Sequence, residues 1–547
     1  MKFVKSPFLG SAVCLVAATG TQAADLPTRK AAQVGYVRIC ATLGRRFFNI
    51  PGSDTCIRLS GRARLEYVGS KVSDHSIDPS SFYALGRLAI DARTSTEWGL
   101  LRTYTRVDLS RRSGNNYFGS GGAERRAEAF GFDGGSGAAG VFPAFSGADT
   151  VSNRLQTGVA ITAAFVQWGG LTAGRLQSFF DFYADNSNWF GITDSDAITQ
   201  ALAYTYTFGA DFSATLSIED PKERQITPLA GFAAVGAGGI NPAVATAPFT
   251  ITYPFAFSPY AAPSLAAGGG AINYTQREGI PDVVGALRVD QSWGSAQLSG
   301  AYHRVSTSGS TVTSLNPAVG GGFVVNPLVP TVAGGYGTVR GNGWAVQGGG
   351  KVNLPFIAAG DTLYLQAAYS KGDTNHSYVN WSFPSAFKGV AHSIGGTIFS
   401  TYAGVIGPSG HLTLTPAYSA LISFEHYWTP AIRQGFFAGG ERISYSDPIR
   451  TAAGFAAGAA CPTCLGTVTF TNGSSYNPYS PFYTGGTLYN IGSNLVWSPA
   501  KDLDIGVEVF YYRNEMAHRQ FDVNAGGGKL TKRDDAWDYR LRVSREF

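Results

Sequence analysis

A chain of 547 residues with 70 glycines, 13% aromatic and only 14% charged residues is not disordered, because disorder needs charge and few aromatics. Its glycines show no period of three, which excludes collagen. After the leader no run of 18 apolar residues occurs, which excludes membrane-spanning helices, and a net charge of +5 with Lys2 and Lys5 included argues against nucleic acid as a partner.

The first 23 residues read as a secretory signal. Lys2 and Lys5 form a positive region, Phe8 to Thr19 an apolar stretch too short to span, and Thr21-Gln22-Ala23 the small-residue cleavage site. Cleavage after Ala23 removes Cys14 and leaves an even four: Cys40, Cys56, Cys461 and Cys464. In an oxidising compartment local pairing is expected, Cys40 with Cys56 and Cys461 with Cys464. The first pair closes a loop of roughly 15 residues, worth about 3 kcal/mol on the chain-entropy estimate. Residues 24–56 therefore read as a stapled periplasmic segment ahead of the main domain, 57–547.

From Ile57 onward the hydrophobic period is two. Ile57, Leu59, Gly61, Ala63, Leu65 and Tyr67 alternate with Arg58, Ser60, Arg62, Arg64 and Glu66, the pattern of a strand with one apolar and one polar face. The same alternation predicts strands near 57–68, 83–95, 100–110, 155–168, 171–178, 201–208, 212–219, 283–293, 296–306, 343–353, 361–370, 418–428, 432–445, 487–497, 502–513 and 535–547. Most are long enough for a tilted membrane-spanning strand, which needs about 9–11 residues. Short connections alternate with long Gly/Ala/Pro/Ser-rich ones such as 111–154, 220–282, 307–342, 371–417 and 446–486. A β-sandwich array or a propeller also alternates along its strands, but neither places all tight turns at one end. A transmembrane barrel does. Trp168, Trp293, Trp428 and Trp497 each precede a short turn and Trp98 lies in one, as expected of an aromatic girdle at one membrane interface. The predicted fold is an all-β, 16-stranded antiparallel transmembrane barrel with short periplasmic turns and long external loops.

In such a barrel the apolar faces meet lipid and the polar faces line water, and sixteen strands leave an aqueous channel. Arg58, Arg62, Arg64, Arg87, Arg93, Arg102 and Arg106 then point inward from the first three strands. Arg540 and Arg542 join them from the last, which closes against the first. The connection near 179–200 carries Asp181, Asp185, Asp194 and Asp196; folded inward, it would set these carboxylates across the narrowest point from the arginines and create a transverse field.

Catalytic motifs are weak. Cys461-Pro462-Thr463-Cys464 lacks a βαβ context. Gly348-Gly349-Gly350-Lys351 and Gly526-Gly527-Gly528-Lys529 lack the following Ser or Thr of a phosphate loop. The histidines are scattered, so the sequence offers no nucleophile–base set, no metal site and no cofactor motif.

The mature start Ala24-Asp25-Leu26-Pro27, Tyr36-Val37-Arg38-Ile39-Cys40 and Asn49-Ile50-Pro51-Gly52-Ser53-Asp54-Thr55-Cys56-Ile57 resemble the N-terminus of alphaproteobacterial outer-membrane porins of the general diffusion type. Trp497-Ser498-Pro499-Ala500-Lys501-Asp502-Leu503-Asp504 resembles their penultimate periplasmic turn, and Tyr539-Arg540-Leu541-Arg542-Val543 with Phe547 their closing strand. Arg58-Leu59-Ser60-Gly61-Arg62 departs from that pattern. The resemblance implies a homotrimer in outer-membrane lipid and lipopolysaccharide that passes small hydrophilic solutes and ions, with the third external loop folded into each pore. It also implies that Phe547 addresses the chain to the barrel-assembly machinery. A substrate-selective channel is the alternative, favoured by the long loops and the arginine wall.

Overall fold

The computed structural model describes residues 39–44, 46–70, 79–113, 155–209, 211–221, 229–234, 249–252, 270–276, 279–314, 339–377, 391–394, 397–400, 402–406, 411–471, 475–481, 483–522, 525 and 528–547. The expected signal, residues 1–23, and the segment 24–38 lie outside them.

Sixteen antiparallel strands form a closed ring. They are β1 (Cys56–Ser70), β2 (Ser80–Thr96), β3 (Gly99–Ser113), β4 (Leu155–Trp168), β5 (Leu171–Gln177), β6 (Ile198–Phe208), β7 (Phe212–Glu219) and β8 (Asp282–Gln291). The second half is β9 (Gly294–Ser314), β10 (Arg340–Asn353), β11 (Thr362–Lys371), β12 (Pro416–Thr429), β13 (Ile432–Ile443), β14 (Gly486–Ala500), β15 (Leu503–Phe521) and β16 (Leu530–Glu546). Every neighbour in sequence is a neighbour in the sheet. The seam pairs β1 with β16 from Arg62↔Glu546 to Ser70↔Asp538. Phe547 finishes the closure: its N–H donates to the Gly61 carbonyl at 3.1 Å, and the Gly61 N–H donates back at 3.2 Å. Each predicted strand is present, most of them a few residues longer at the loop end. Where two strands continue pairing beyond the bilayer, backbone hydrogen bonding extends them without an apolar face to announce it.

The ring is inside-out relative to a soluble barrel. On β16, Leu541 is 50% exposed while its neighbour Arg540 is 0% exposed, so the apolar parity faces outward and the charged parity inward. All connections at one end are short, such as 97–98, 169–170, 292–293, 430–431 and 501–502. The five tryptophans expected at this rim are all exposed there, Trp98, Trp168, Trp293, Trp428 and Trp497. Trp168 Nε1 donates to Thr96 Oγ1 and Trp428 Nε1 to Gln434 Oε1, which satisfies the polar edge of each ring. A second aromatic belt runs along part of the opposite rim. It includes the pairs Tyr67–Phe82, Trp344–Tyr369 and Tyr511–Trp537, with centroids 5.1, 5.4 and 4.8 Å apart. Two belts separated by an apolar band are what a bilayer with two interfaces selects.

The loop end carries structure that strand periodicity does not reveal. Four short segments, Leu229–Ala234, Phe249–Thr252, Gly404–Ile406 and Leu412–Leu414, form one small sheet from two different loops. A hairpin pairing Ala391–Ile394 with Thr397–Ser400 lies against β15 and β16. Helix α1 (Asp447–Ala460) begins after Ser446 with Pro448 in its first turn, and buries Ile449 and Ala453 against Tyr402, Val405 and Tyr483. Both expected disulfides are formed, Cys40–Cys56 and Cys461–Cys464.

The outward parity is testable. Leu216→Arg, in the middle of the apolar band, should cost about 2–4 kcal/mol, whereas Leu171→Arg at the rim should cost about 0–1. Urea titration of the protein folded into lipid vesicles measures both; equal costs would mean that these faces do not meet hydrocarbon.

Candidate functional site: the narrowed lumen

The connection between β5 and β6 turns into the barrel. Its neck is tied at Asp181, whose carboxylate accepts the Ala197 N–H (2.7 Å), the Ser195 hydroxyl (2.6 Å) and the Gln177 amide (2.5 Å). Glu219, at the far end of β7, accepts the Ser178 hydroxyl (2.5 Å) and the Phe179 N–H (3.0 Å). A charged acceptor makes each such bond about 1.5–3 kcal/mol, enough to hold a loop that would otherwise point to solvent.

From the neck the loop follows the inner wall from β9 round to β16. Ser299 donates to the Phe180 carbonyl (2.7 Å), as does Gln347 (2.9 Å). Gln366 accepts the Tyr183 N–H (3.0 Å), and Ser423 Oγ lies 3.0 Å from the Tyr183 hydroxyl. Asn494 donates to the Ser187 carbonyl (2.7 Å). Glu508 accepts the N–H groups of Trp189 (2.7 Å) and Phe190 (2.6 Å), while Arg540 donates to the Trp189 carbonyl (2.7 Å). Burial pushes the Tyr183 phenol well above its usual range, so it stays protonated. Two glycines make room. A Cβ on Gly349 would sit 2.3 Å from the Phe182 ring, and one on Gly439 would sit 2.3 Å from Thr193 Oγ1.

Arg58, Arg62, Arg64, Arg87, Arg93, Arg102 and Arg106 share the inward parity, but they are grouped around carboxylates of their own wall. Asp91 accepts from Arg58 (3.3 Å), Arg93 (2.9 Å) and Arg102 (3.0 Å). Arg87 forms a two-pronged bond to Asp108 at 2.7 and 2.6 Å. Arg62 donates through Nε to Glu546 at 2.9 Å. Glu66 lies beside Arg64 (3.6 Å), Arg540 (3.5 Å) and Arg542 (2.8 Å). Arg106 donates to Thr162 at 2.8 Å, where a bulge in the β3–β4 register turns the threonine inward.

Two expectations need correction. Arg540 does not line open water: it is fully buried beneath the loop, with its guanidinium 4.1 Å from the Phe190 ring centroid. The four loop aspartates do not stand out across a gap as an acidic rim. Asp181, Asp194 and Asp196 are buried, and all four accept from the loop itself or from Gln177 at its neck. Asp185 accepts from Asn188 Nδ2 (2.7 Å) and the Ile192 N–H (3.2 Å), Asp194 from the Asp185 N–H (3.1 Å) and Asp196 from Gln177 (2.9 Å). A loop crossing a lumen without regular structure must satisfy its backbone amides locally, and these carboxylates are the acceptors at hand.

The structure adds cations on the far wall that no cluster in the sequence singles out. Arg288 of β8, Lys351 of β10 and Arg433 of β13 have the inward parity. Arg288 pairs with Asp290 at 2.8 Å and lies over Phe182 at 5.5 Å, and Arg433 pairs with Asp504 at 2.7 Å. Positive groups thus flank the lumen on both sides. They are spread one per strand along the chain, so only closure of the ring brings them together.

A profile of the porin subfamily matches residues 25–538 of this chain. The chain is 28% identical over 379 residues to the porin Omp2b of Brucella neotomae, spanning 67% of this chain and 84% of that one. It is 30% identical over 228 residues to the porin Omp2a of Brucella ovis, 40% of this chain and 60% of that protein. Among solved structures it is similar to the outer membrane channel DcaP of Acinetobacter baumannii, with a TM-score of 0.45 and 12% identity over 90% of this chain and 97% of that one.

Glu508 tests the seating of the loop. Glu508→Ala leaves two amides without a charged acceptor, each such bond worth about 1.5–3 kcal/mol. Single-channel conductance in planar bilayers should rise and protease should cut within 178–197. Unchanged conductance would show that this loop does not set the narrowest point.

Proposed function

Because the chain belongs to the porin family and is a β-barrel channel of the Gram-negative outer membrane, we propose that it works there as a trimer of independent pores, each narrowed by residues 178–197. Small hydrophilic molecules and ions cross it by passive diffusion. The observation that carries this reading is the combination of a closed ring of sixteen strands with charged groups inside and a polar-anchored loop within the lumen. The channel reading, rather than an enzymatic one, is what the family supports.

Export through a signal cleaved after Ala23, assembly guided by the terminal Phe547, and surroundings of phospholipid and lipopolysaccharide complete the proposal. Phe547 is exposed on the barrel's rim with its main chain paired to Gly61, a position compatible with reading by an assembly factor before closure. In the pore, Arg58, Arg62, Arg64, Arg93, Arg102 and Arg106 would act on passing solutes through their field, with Asp91, Asp108 and Glu66 partly offsetting it. Guanidiniums in a narrow low-dielectric channel lower the barrier for anions and raise it for cations.

A substrate-selective channel is the second reading. The hairpin of 391–394 with 397–400 against β15 and β16, together with the small sheet built from two loops, supports it, since ordered structure at the loop end would restrict the outer approach. Saturable block of ion current by one solute would favour this reading over general diffusion.

Purified protein should give discrete conductance steps in planar bilayers and migrate as a detergent-resistant trimer until heated. A preparation that is folded yet never conducts would end the porin reading. Replacing Arg62 and Arg64 together by Gln should shift the reversal potential in a salt gradient toward cations; no shift would place both side chains away from the ion path.

A further inference from the structure

We propose that the stapled segment, residues 39–44 and 46–55, and the first three strands build a second filter, a binding site for small oxyanionic solutes at the periplasmic mouth. The proposal rests on the porin reading and adds to it a solute class and a location. The site lies well away from the inward loop. Arg58 is about 26 Å along β1 from Glu66, at roughly 3.3 Å per residue, and Glu66 marks the level at which Arg540 and Arg542 meet the loop.

The cysteine pair explains why the segment is there. The Cys40–Cys56 bridge returns the chain to the start of β1, and residues Phe48–Asn49 pair with Cys56 and Ile57. Gly44 takes a left-handed φ of +119° beside the Phe47 ring, a turn that a side chain would resist. The result is a buried Phe47 placed against the lumenal face, with the Arg58 and Arg93 guanidiniums 5.1 and 4.6 Å from its ring centroid. Arg93 also donates to the Leu43 carbonyl at 2.9 Å, and Arg46 anchors the segment to Asp502 across the rim at 3.2 Å.

Charge at this point is out of balance. Arg58, Arg93 and Arg102 share a single carboxylate, Asp91, which leaves an excess of two positive charges. Arg93 and Arg102 each spend two donors on Asp91 and a third on a neutral acceptor. Arg58 reaches Asp91 only through Nη2; its Nε is buried without a partner, so the donors that can meet a solute are the remaining ones at the guanidinium tip. About a third of its side chain is exposed, at 34%. A guanidinium held over an aromatic face, short of acceptors and open to water, is suited to a carboxylate or phosphate oxygen. The Phe47 ring packs beside it without consuming its donors.

The test measures chloride current through the full-length protein in planar bilayers with sodium succinate, then inorganic phosphate, added on both sides. Wild type should show saturable block by either anion, and Arg58→Gln should weaken that block about tenfold. Phe47→Ala should weaken it as well. The paired change Cys40→Ser with Cys56→Ser should weaken it and raise conductance, because the segment is released. Heat-modifiable migration in gels confirms that each variant is folded, so failure of one still leaves the other two to read. A wild-type channel that conducts but is not blocked, or equal block in wild type and variants, overturns the proposal. A wild type without any conductance would instead overturn the channel reading on which it rests.

Discussion

Backbone hydrogen bonding in hydrocarbon governs this molecule. A chain that crosses lipid has no water to satisfy its N–H and C=O groups, so every strand must have a partner on both sides and the sheet must close. Closure through Arg62↔Glu546 to Ser70↔Asp538, finished by the reciprocal Gly61 and Phe547 bonds, is therefore the condition for everything else. It forces strict side-chain alternation, sends Leu541 to lipid and Arg540 inward, and gathers charges from distant parts of the sequence around one water column.

The lumen then poses the opposite problem from a protein core. Its walls are polar, so a segment can enter only if its own polar groups are matched. Residues 178–197 meet that requirement by using Asp181, Asp185, Asp194 and Asp196 as internal acceptors and Glu219, Gln366, Asn494 and Glu508 as wall acceptors or donors. Acidic residues that look like pore charges in the sequence are thereby spent on shape. Net positive character passes to the wall instead, where arginines outnumber the carboxylates they share at Asp91 and at Glu66. On the far wall Arg288 and Arg433 are matched by Asp290 and Asp504, so the excess of positive charge lies on the side of the first strands.

Much of this is legible in the sequence. The strand framework, the two disulfides, the tryptophan rim and the inward arginines all follow from local signals: a period of two, an even cysteine count and turn residues at regular spacing. The upper aromatic belt was less visible because its Tyr and Phe residues are not confined to positions beside short turns. The roles of Arg540 and the loop aspartates were misread because parity tells which face a side chain takes, not what covers that face. Nothing in the local pattern of 391–394, 397–400, 404–406 or 412–414 announces that these pieces pair within the loops.

The amino-acid order by itself determined the number of strands, their facing and the side on which water lies, since each depends on neighbours two residues apart. Only the folded chain decided which charges meet, where the lumen narrows, and that Phe47 sits beneath Arg58 and Arg93. Those outcomes depend on contacts between segments far apart in sequence, whose energies exist only once the ring has closed.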